Sequence, residues 1–298
     1  MLADPPWASV RAEIAAMVEA ERVVLPAAVT GPELVLRTFA HLPSIGSATE
    51  RRLWALGIVD WDAFLQAPHI DGLGAERKAT CDAMLGRLRD QVRGGDVGAV
   101  VRAFPRSLWW RIWRLLAPDA AYLDIETTGL HRGAEVTVVG VLFRGRYRSL
   151  VAGVDLDRAH LSDALERASL LVTFNGAQFD LPVLEQAFPR ALPRLPHLDL
   201  RFLARATGLR GGLKVVERSL GLARPKEVGQ MSGAQAVYLW RTFLRTGTRR
   251  SLELLLRYNR EDVVNLPIIT ALLERRAAAA CGMPDGDGDG APFRQMLL

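Results

Sequence analysis

Ala121-Tyr122-Leu123-Asp124-Ile125-Glu126, followed by Thr127-Thr128-Gly129, is the stretch on which the fold of this chain turns. The first six residues suit a strand and the next three a turn. Residues two apart in a strand share a face, so Asp124 and Glu126 point one way while Leu123 and Ile125 point the other. Two carboxylates side by side repel each other unless a cation lies between them, and the pair therefore points to a divalent metal. A strand that simply exposes two acids is the alternative this segment leaves open.

Working outward, 135–143 is rich in valine, Arg144-Gly145-Arg146 reads as a hairpin turn, and 147–153 returns as a third strand. A helix is expected over 157–168. A fourth strand, 170–174, ends in Asn175-Gly176-Ala177-Gln178-Phe179-Asp180, in the kind of loop after a strand where ligand groups gather. Asp180 falls where a helix begins, a position an acid also favours for the helix dipole alone. Asp199, in His197-Leu198-Asp199-Leu200, reads as a strand-end cap with at most a supporting role in a site. One long helix is expected over 251–279. It carries Tyr258 and Asp262 at i and i+4, on one face and one turn apart, where a phenol can orient or help deprotonate a water beside a metal-bound carboxylate.

Upstream the pattern is helical. A short amphipathic stretch covers 10–21. Ser47 and Glu50 have capping-box spacing, so a helix should start after Gly46 and stop at Gly57. Further helices are expected over 60–66 and 75–92, with Gly94-Gly95 ending the last. A tight Ile45-Gly46 turn feeding a helix offers backbone N–H groups to a phosphate, and this stretch resembles a helix-hairpin-helix motif near 42–67. That resemblance implies phosphate contacts from Ile45, Gly46 and Ser47, with Arg51 and Arg52 nearby; a plain capped helix is the alternative. Between 104 and 116, Trp109, Trp110 and Trp113 interleave with Arg106, Arg111 and Arg114. Leu108, Trp109, Ile112, Trp113 and Leu116 nevertheless form the stripe of a helix packed on a core, and that reading prevails over strand-clamping.

Composition bounds the rest. A chain of 298 residues, 49% hydrophobic and 24% charged, suits one large or two modest globular domains. No apolar run is long enough to span a bilayer, and Met1–Val10 has acid and proline where a secretory signal would be basic and then apolar. Cys81 and Cys281 are the only cysteines, which argues against a disulfide framework or a Cys/His zinc site and for a reducing cytoplasm. The formal charge of +5 is compatible with an anionic partner. It weighs little, because the basic residues are nearly all arginine, a skew that a GC-rich genome produces. Asp285-Gly286-Asp287-Gly288-Asp289-Gly290 opens like a calcium loop but has Met296 where a bidentate Glu belongs; 281–298 is expected to be a disordered tail.

Taken in order, an Asp-x-Glu strand, a hairpin, a strand ending in Asn-Gly-x-x-Phe-Asp and a helix with Tyr-x-x-x-Asp resemble the DEDD (DnaQ-like) exonuclease superfamily on the ribonuclease H-like fold. Position 257, where the histidine variant would carry its base, is Arg257, so the chain resembles the tyrosine subclass. Tyr122–Leu130, His197-Leu198-Asp199-Leu200, Leu213-Lys214-Val215-Val216-Glu217 and the helical leader are similar to the YprB-like group of bacterial exonucleases.

The resemblance implies an α/β fold, a mixed sheet flanked by helices over 116–280, preceded by a helical domain over 1–115. It implies two Mg²⁺ or Mn²⁺ ions about 3.5–4 Å apart, with Asp124 bridging them. Glu126 and Asp262 would complete one ion, Tyr258 would position the water, and Asp180 would act through water on the other ion. Thr127, Gly129 and Leu130 would meet the terminal nucleotide and Asn175 its backbone. The implied substrate is nucleic acid, RNA or DNA, with a single-stranded 3′ end shortened 3′ to 5′. A non-catalytic nucleic-acid-binding protein and a structure-selective endonuclease are the competing readings.

Overall fold

The structure, a computed structural model, describes residues 20–23, 33–129, 131 and 133–284. By their contacts these residues form two compact units. Among the described residues, one comprises 20–23 and 119–271, the other 33–118 and 272–284.

The first unit is a mixed α/β layer structure around a six-stranded sheet. Its strands are β1 (Glu21–Arg22), β2 (Ala120–Thr127), β3 (Val136–Phe143), β4 (Arg146–Val151), β5 (Leu170–Thr173) and β6 (His197–Asp199). Their spatial order is β1-β4-β3-β2-β5-β6. β1, β4, β3 and β2 run antiparallel to their neighbours, while β2–β5 and β5–β6 are parallel. The β3–β4 connection is tight, with Arg144 at φ 48° and Gly145 at φ 71°, the left-handed pair that matches the twist of a two-residue hairpin.

Alternation along β2 sorts the two layers. Leu123 and Ile125 pack with Val139, Val141, Leu150, Leu161, Leu165 and Leu184 in one apolar cluster. Val138 and Val151 pack on the opposite side with Trp240, Phe243, Leu252, Leu255 and Tyr258. That second layer is made by the helices Gly233–Thr246 and Arg249–Val264. The first of them starts at a capping box between Ser232 and Gln235 that the sequence reading did not identify.

Several expectations need correction. The single helix over 251–279 is two, Arg249–Val264 and Leu266–Cys281, separated at Asn265. Pro267 sits in the first turn of the second helix, where its missing N–H costs nothing, but it cannot continue a helix from the first. Glu21 and Arg22, at the end of the stretch read as an amphipathic helix, form β1; residues 10–19 lie outside the described residues. So do Leu130 and, from residue 285 on, the Gly-Asp repeat and the tail.

The second unit is helical. Its helices include Ser47–Ala55, Trp61–Gln66, Ala75–Arg93, Val97–Ala103 and Trp109–Leu116, around a core holding Phe39, Trp61, Phe64, Leu85, Ile112 and Trp113. The Trp109–Leu116 helix is packed as its apolar stripe requires. Its Arg111 and Arg114 are buried in ion pairs with Glu50 (2.8 Å) and Glu274 (2.7 Å). The capping box expected at Ser47 and Glu50 does not form. Gly46 is the N-cap, and Glu50 points inward to accept the N–H groups of Phe39 and Ala40 as well as Arg111. A buried carboxylate needs that many donors, so Glu50 is unavailable to its own helix end.

Gly140 sets how closely the Arg249–Val264 helix can lie on the sheet. It stands opposite Asp124 in the β2–β3 register, and a Cβ there would overlap Asn259 Oδ1 and come within 2.9 Å of Val263 Cγ2. Gly140→Ala should destabilise the protein by about 1–3 kcal/mol. Denaturant unfolding that shows no change would contradict this packing.

Candidate active site

The face of β2 opposite Leu123 and Ile125 presents Asp124 and Glu126 to the Arg249–Val264 helix, which contributes Asp262. One carboxylate oxygen from each of the three lies within 4.8 Å of the others. Glu126 and Asp262 are buried and Asp124 half-buried. Asp180 does not join this trio. It is the first residue of the helix Asp180–Ala187, and its Oδ1 accepts the Ile125 N–H at 3.2 Å. The β2–β5 pairing stops at Tyr122 and Val172, so Asp180 serves a strand N–H beyond the end of β5 while its charge acts on Asp124 and Glu126.

Crowding acids away from water moves their proton affinities upward. Burial and then the charges of Asp262 and Asp180 push Asp124 and Glu126 well above the usual carboxylate range. Burial raises Asp180 to about 7. Asp262 is raised by burial to about 6, against the pull of Arg224. Tyr258 is buried one turn before Asp262, and burial together with Asp262, Glu126 and Asp124 raises its phenol. It is therefore a proton donor in this setting and not a phenolate.

Residues that sequence reasoning did not assign hold these groups in place. Asn259 Nδ2 donates to Asp124 Oδ2 at 3.0 Å and to the Asp124 carbonyl at 3.3 Å. Asn259 Oδ1 accepts from the Tyr147 hydroxyl at 3.1 Å, which is also bonded to Ser149 Oγ at 2.9 Å. Arg224 makes a fork on Glu217, through Nε to Oε2 (2.7 Å) and Nη2 to Oε1 (2.8 Å). The same Nη2 donates to Asp262 Oδ1. Asn265 Nδ2 donates to Glu217 Oε1 at 2.9 Å. Lys214 Nζ lies 4.3 Å above the Tyr258 ring. Lys214 and Glu217 had a legible signal, three apart on one helix face; Arg224 sits in an irregular Leu222–Pro225 segment without one.

The remaining candidates are more dispersed. Asp199 caps as expected: it accepts the N–H groups of Asn175 (2.8 Å), Ala177 (3.0 Å) and Arg201 (3.0 Å). Asn175 is left-handed, at φ 69°, and its Oδ1 accepts from Arg201 Nη1 at 2.5 Å. Thr127 Oγ1 donates to the Gly129 carbonyl at 2.6 Å, which folds the loop after β2 on itself. In the helical unit Ile45 is buried, whereas Gly46 and Ser47 are exposed.

The sequence family described as the RNase_H superfamily matches residues 121–274. The chain belongs to the RNase_H superfamily. No curated protein matches it. Two solved structures are similar to this RNase_H chain. Escherichia coli RNase D, described as an exoribonuclease involved in structured RNA processing, is 23% identical with a TM-score of 0.42, over 56% of this chain and 42% of that one. The Aedes aegypti Nibbler EXO domain is 15% identical with a TM-score of 0.41, over 63% of this chain and 89% of that one. The chain thus spans about two fifths of the RNase D length. Among the described residues no helix is long and apolar enough to cross a membrane.

The trio suits a hard divalent cation. All donors are carboxylate oxygens, which favour Mg²⁺, Mn²⁺ or Ca²⁺ over zinc, and their mutual repulsion is what such an ion relieves. A carboxyl whose folded pKa is raised stabilises the fold below its unfolded pKa and loses that contribution as pH rises through the folded value. For Asp180 and Asp262 that loss runs through about 7 and about 6. In EDTA the melting temperature should therefore fall between about pH 5 and about pH 8. Saturating Mn²⁺ should raise it more at the higher pH, because there the carboxylates bind without losing protons. An equal Mn²⁺ effect at both pH values would count against a metal among these groups.

Proposed function

We propose that this chain is a metal-dependent exonuclease of the DEDD (DnaQ-like) kind, tyrosine subclass, that removes nucleotides from the 3′ end of single-stranded RNA or DNA. The observation that carries the reading is the Asp124–Glu126–Asp262 cluster within 4.8 Å, with Tyr258 one turn from Asp262 on the same helix. We place the nuclease domain over 116–280, with β1 (Glu21–Arg22) in its sheet, and a helical nucleic-acid-binding domain over the rest of 1–115, acting in the cytoplasm.

Asp124, Glu126, Asp180 and Asp262 would hold two Mg²⁺ or Mn²⁺ ions. Bound there, the ions would lower the pKa of a water and neutralise charge on the phosphate. The protein's own contribution is orientation. Asn259 fixes one oxygen of Asp124, and Arg224 takes one oxygen of Asp262, so each acid presents its other oxygen in a set direction. Tyr258, held as a phenol, donates a hydrogen bond and aligns the attacking water. Water adds to phosphorus, the bond to the 3′ oxygen of the preceding nucleotide breaks, and that oxygen takes a proton. Thr127, Gly129, Leu130 and Asn175 would line the terminal nucleotide. Ile45, Gly46 and Ser47 would receive a backbone phosphate at the start of their helix.

Purified protein with end-labelled single- and double-stranded RNA and DNA tests this directly. Stepwise 3′ shortening in Mn²⁺, absent in EDTA, is expected. Internal cuts would instead indicate an endonuclease, and binding without turnover a non-catalytic protein. Asp124→Ala and Asp262→Ala should reduce shortening to background while circular dichroism stays native; wild-type rates in either would overturn the assignment. Tyr258→Phe should slow turnover by roughly 10²-fold and keep the Mn²⁺-induced rise in melting temperature. Gly46→Asp should weaken nucleic-acid binding by placing an acid against phosphate, and unchanged affinity would reject that contact.

A further inference from the structure

Lys214 is buried at its charged end. Among the described residues, its Nζ is closed off from solvent and has no hydrogen-bond acceptor. Arg224, whose side chain is 4% exposed, is in a similar position: Nε and Nη2 are engaged by Glu217 and Asp262, while Nη1 is buried with no acceptor. Both cations lie over the same ring, Lys214 Nζ at 4.3 Å and the Arg224 guanidinium carbon at 5.9 Å from the Tyr258 centroid. Both also act electrostatically on Asp262. Leaving a charged donor buried without an acceptor is expensive, and two such donors on one ring, beside a cluster built to take cations, are incomplete without an anion.

We propose that Lys214 Nζ and Arg224 Nη1 form an anion site that takes a phosphate of the nucleic-acid strand at the carboxylate cluster. The inference rests on the nuclease reading and adds residues that bind the substrate backbone. The division of labour follows from connectivity. Arg224 is anchored by Glu217 and can offer only Nη1, as a fixed donor. Lys214 has all three ammonium hydrogens to give, on a stem that can follow the phosphate. A phosphodiester has non-bridging oxygens enough to accept from both, and charge-assisted bonds of this kind are the strong ones. The contact reads backbone and no base, so it serves RNA and DNA alike.

Lys214→Met is the informative variant, because it removes a buried charge that has no acceptor, keeps an unbranched side chain, and leaves every carboxylate in place. The measurement is equilibrium binding of a short labelled oligouridylate, and of its deoxy counterpart, to the full chain in Ca²⁺ over a series of salt concentrations, with intact label checked after each titration. Lys214→Met should weaken binding about tenfold or more, and the slope of log affinity against log salt should shrink by about 0.7, the value for one phosphate contact on a single strand. Lys214→Arg should restore both, and Mn²⁺ should bind Lys214→Met at least as tightly as the wild type, because a positive charge acting on Asp262 is gone. If Lys214 only offset the acids, Lys214→Met would bind Mn²⁺ more tightly and keep the wild-type affinity and salt slope, which overturns the anion site while an active wild type upholds the nuclease reading. A wild type that neither binds nor shortens any oligonucleotide overturns the nuclease reading, and the anion site with it. Should Lys214→Met melt well below the wild type, Lys214→Gln replaces it in the same comparison.

Discussion

Three carboxylates with oxygens inside 4.8 Å of one another, two of them buried, impose a cost that the rest of this structure is arranged around. Left alone, such groups would bind protons or push apart, and their raised pKa values are the direct expression of that cost. The surrounding side chains offset part of it. Arg224 engages Asp262, Asn259 engages Asp124, and Lys214 adds positive charge from above Tyr258. Each compensating residue is itself held: Arg224 by Glu217, Glu217 by Asn265, Asn259 by Tyr147. The site is thus two shells deep, and the outer one is what turns a repulsive cluster into a set of aimed oxygens.

The sheet supplies the position. β2 lies between an antiparallel neighbour and a parallel one, and β5 stops where the carboxylates begin. That leaves the last turns of β2 open on one edge, where Asp180 takes the Ile125 N–H. The loop after β5 is tied to β6 by Asp199, and Gly176 packs against Thr173 where a Cβ would collide. On the helical side, Gly140 lets Asn259 come close enough to reach Asp124. A glycine on β3 and an asparagine on the Arg249–Val264 helix therefore fix the direction of one carboxylate on β2.

Sequence made the carboxylates legible because their signals are local. Period-two alternation placed Asp124 and Glu126 on one face, and i,i+4 spacing placed Tyr258 with Asp262. Strands β2 to β5 were legible too, as short β-prone runs ended by turn residues, whereas β1, the charged pair Glu21–Arg22, carries no such signal. Arg224 was invisible because its partners are Glu217 and Asp262, seven and thirty-eight positions away, and nothing in a loop arginine announces them. Glu50 misled for the opposite reason. Its local spacing fits a capping box, but the nonlocal demand of Arg111 and two backbone N–H groups prevailed. Asn265 and Pro267 split a helix that amphipathic periodicity runs straight through, since periodicity does not register a missing N–H.

Charge sets the last constraint on how this site can work. Lys214 and Arg224 are the cations that act on Asp124, Glu126, Asp262 and Glu217, and Asp180 with Asp199 beside it adds further acid, so full ionisation leaves a negative surplus of more than two charges. One divalent cation does not cancel that surplus, and the site would still repel a phosphodiester. Two such ions would bring the site close to neutral, so that a phosphodiester would no longer be repelled. A two-ion reading would therefore let the substrate approach, and it gives Lys214 its use: with ions holding the acids, its ammonium would be freer to meet the incoming phosphate. Tyr258 lies beneath that ammonium and beside Asp262, and burial favours its phenol form, so in this reading its work would be to orient the water by a donated hydrogen bond.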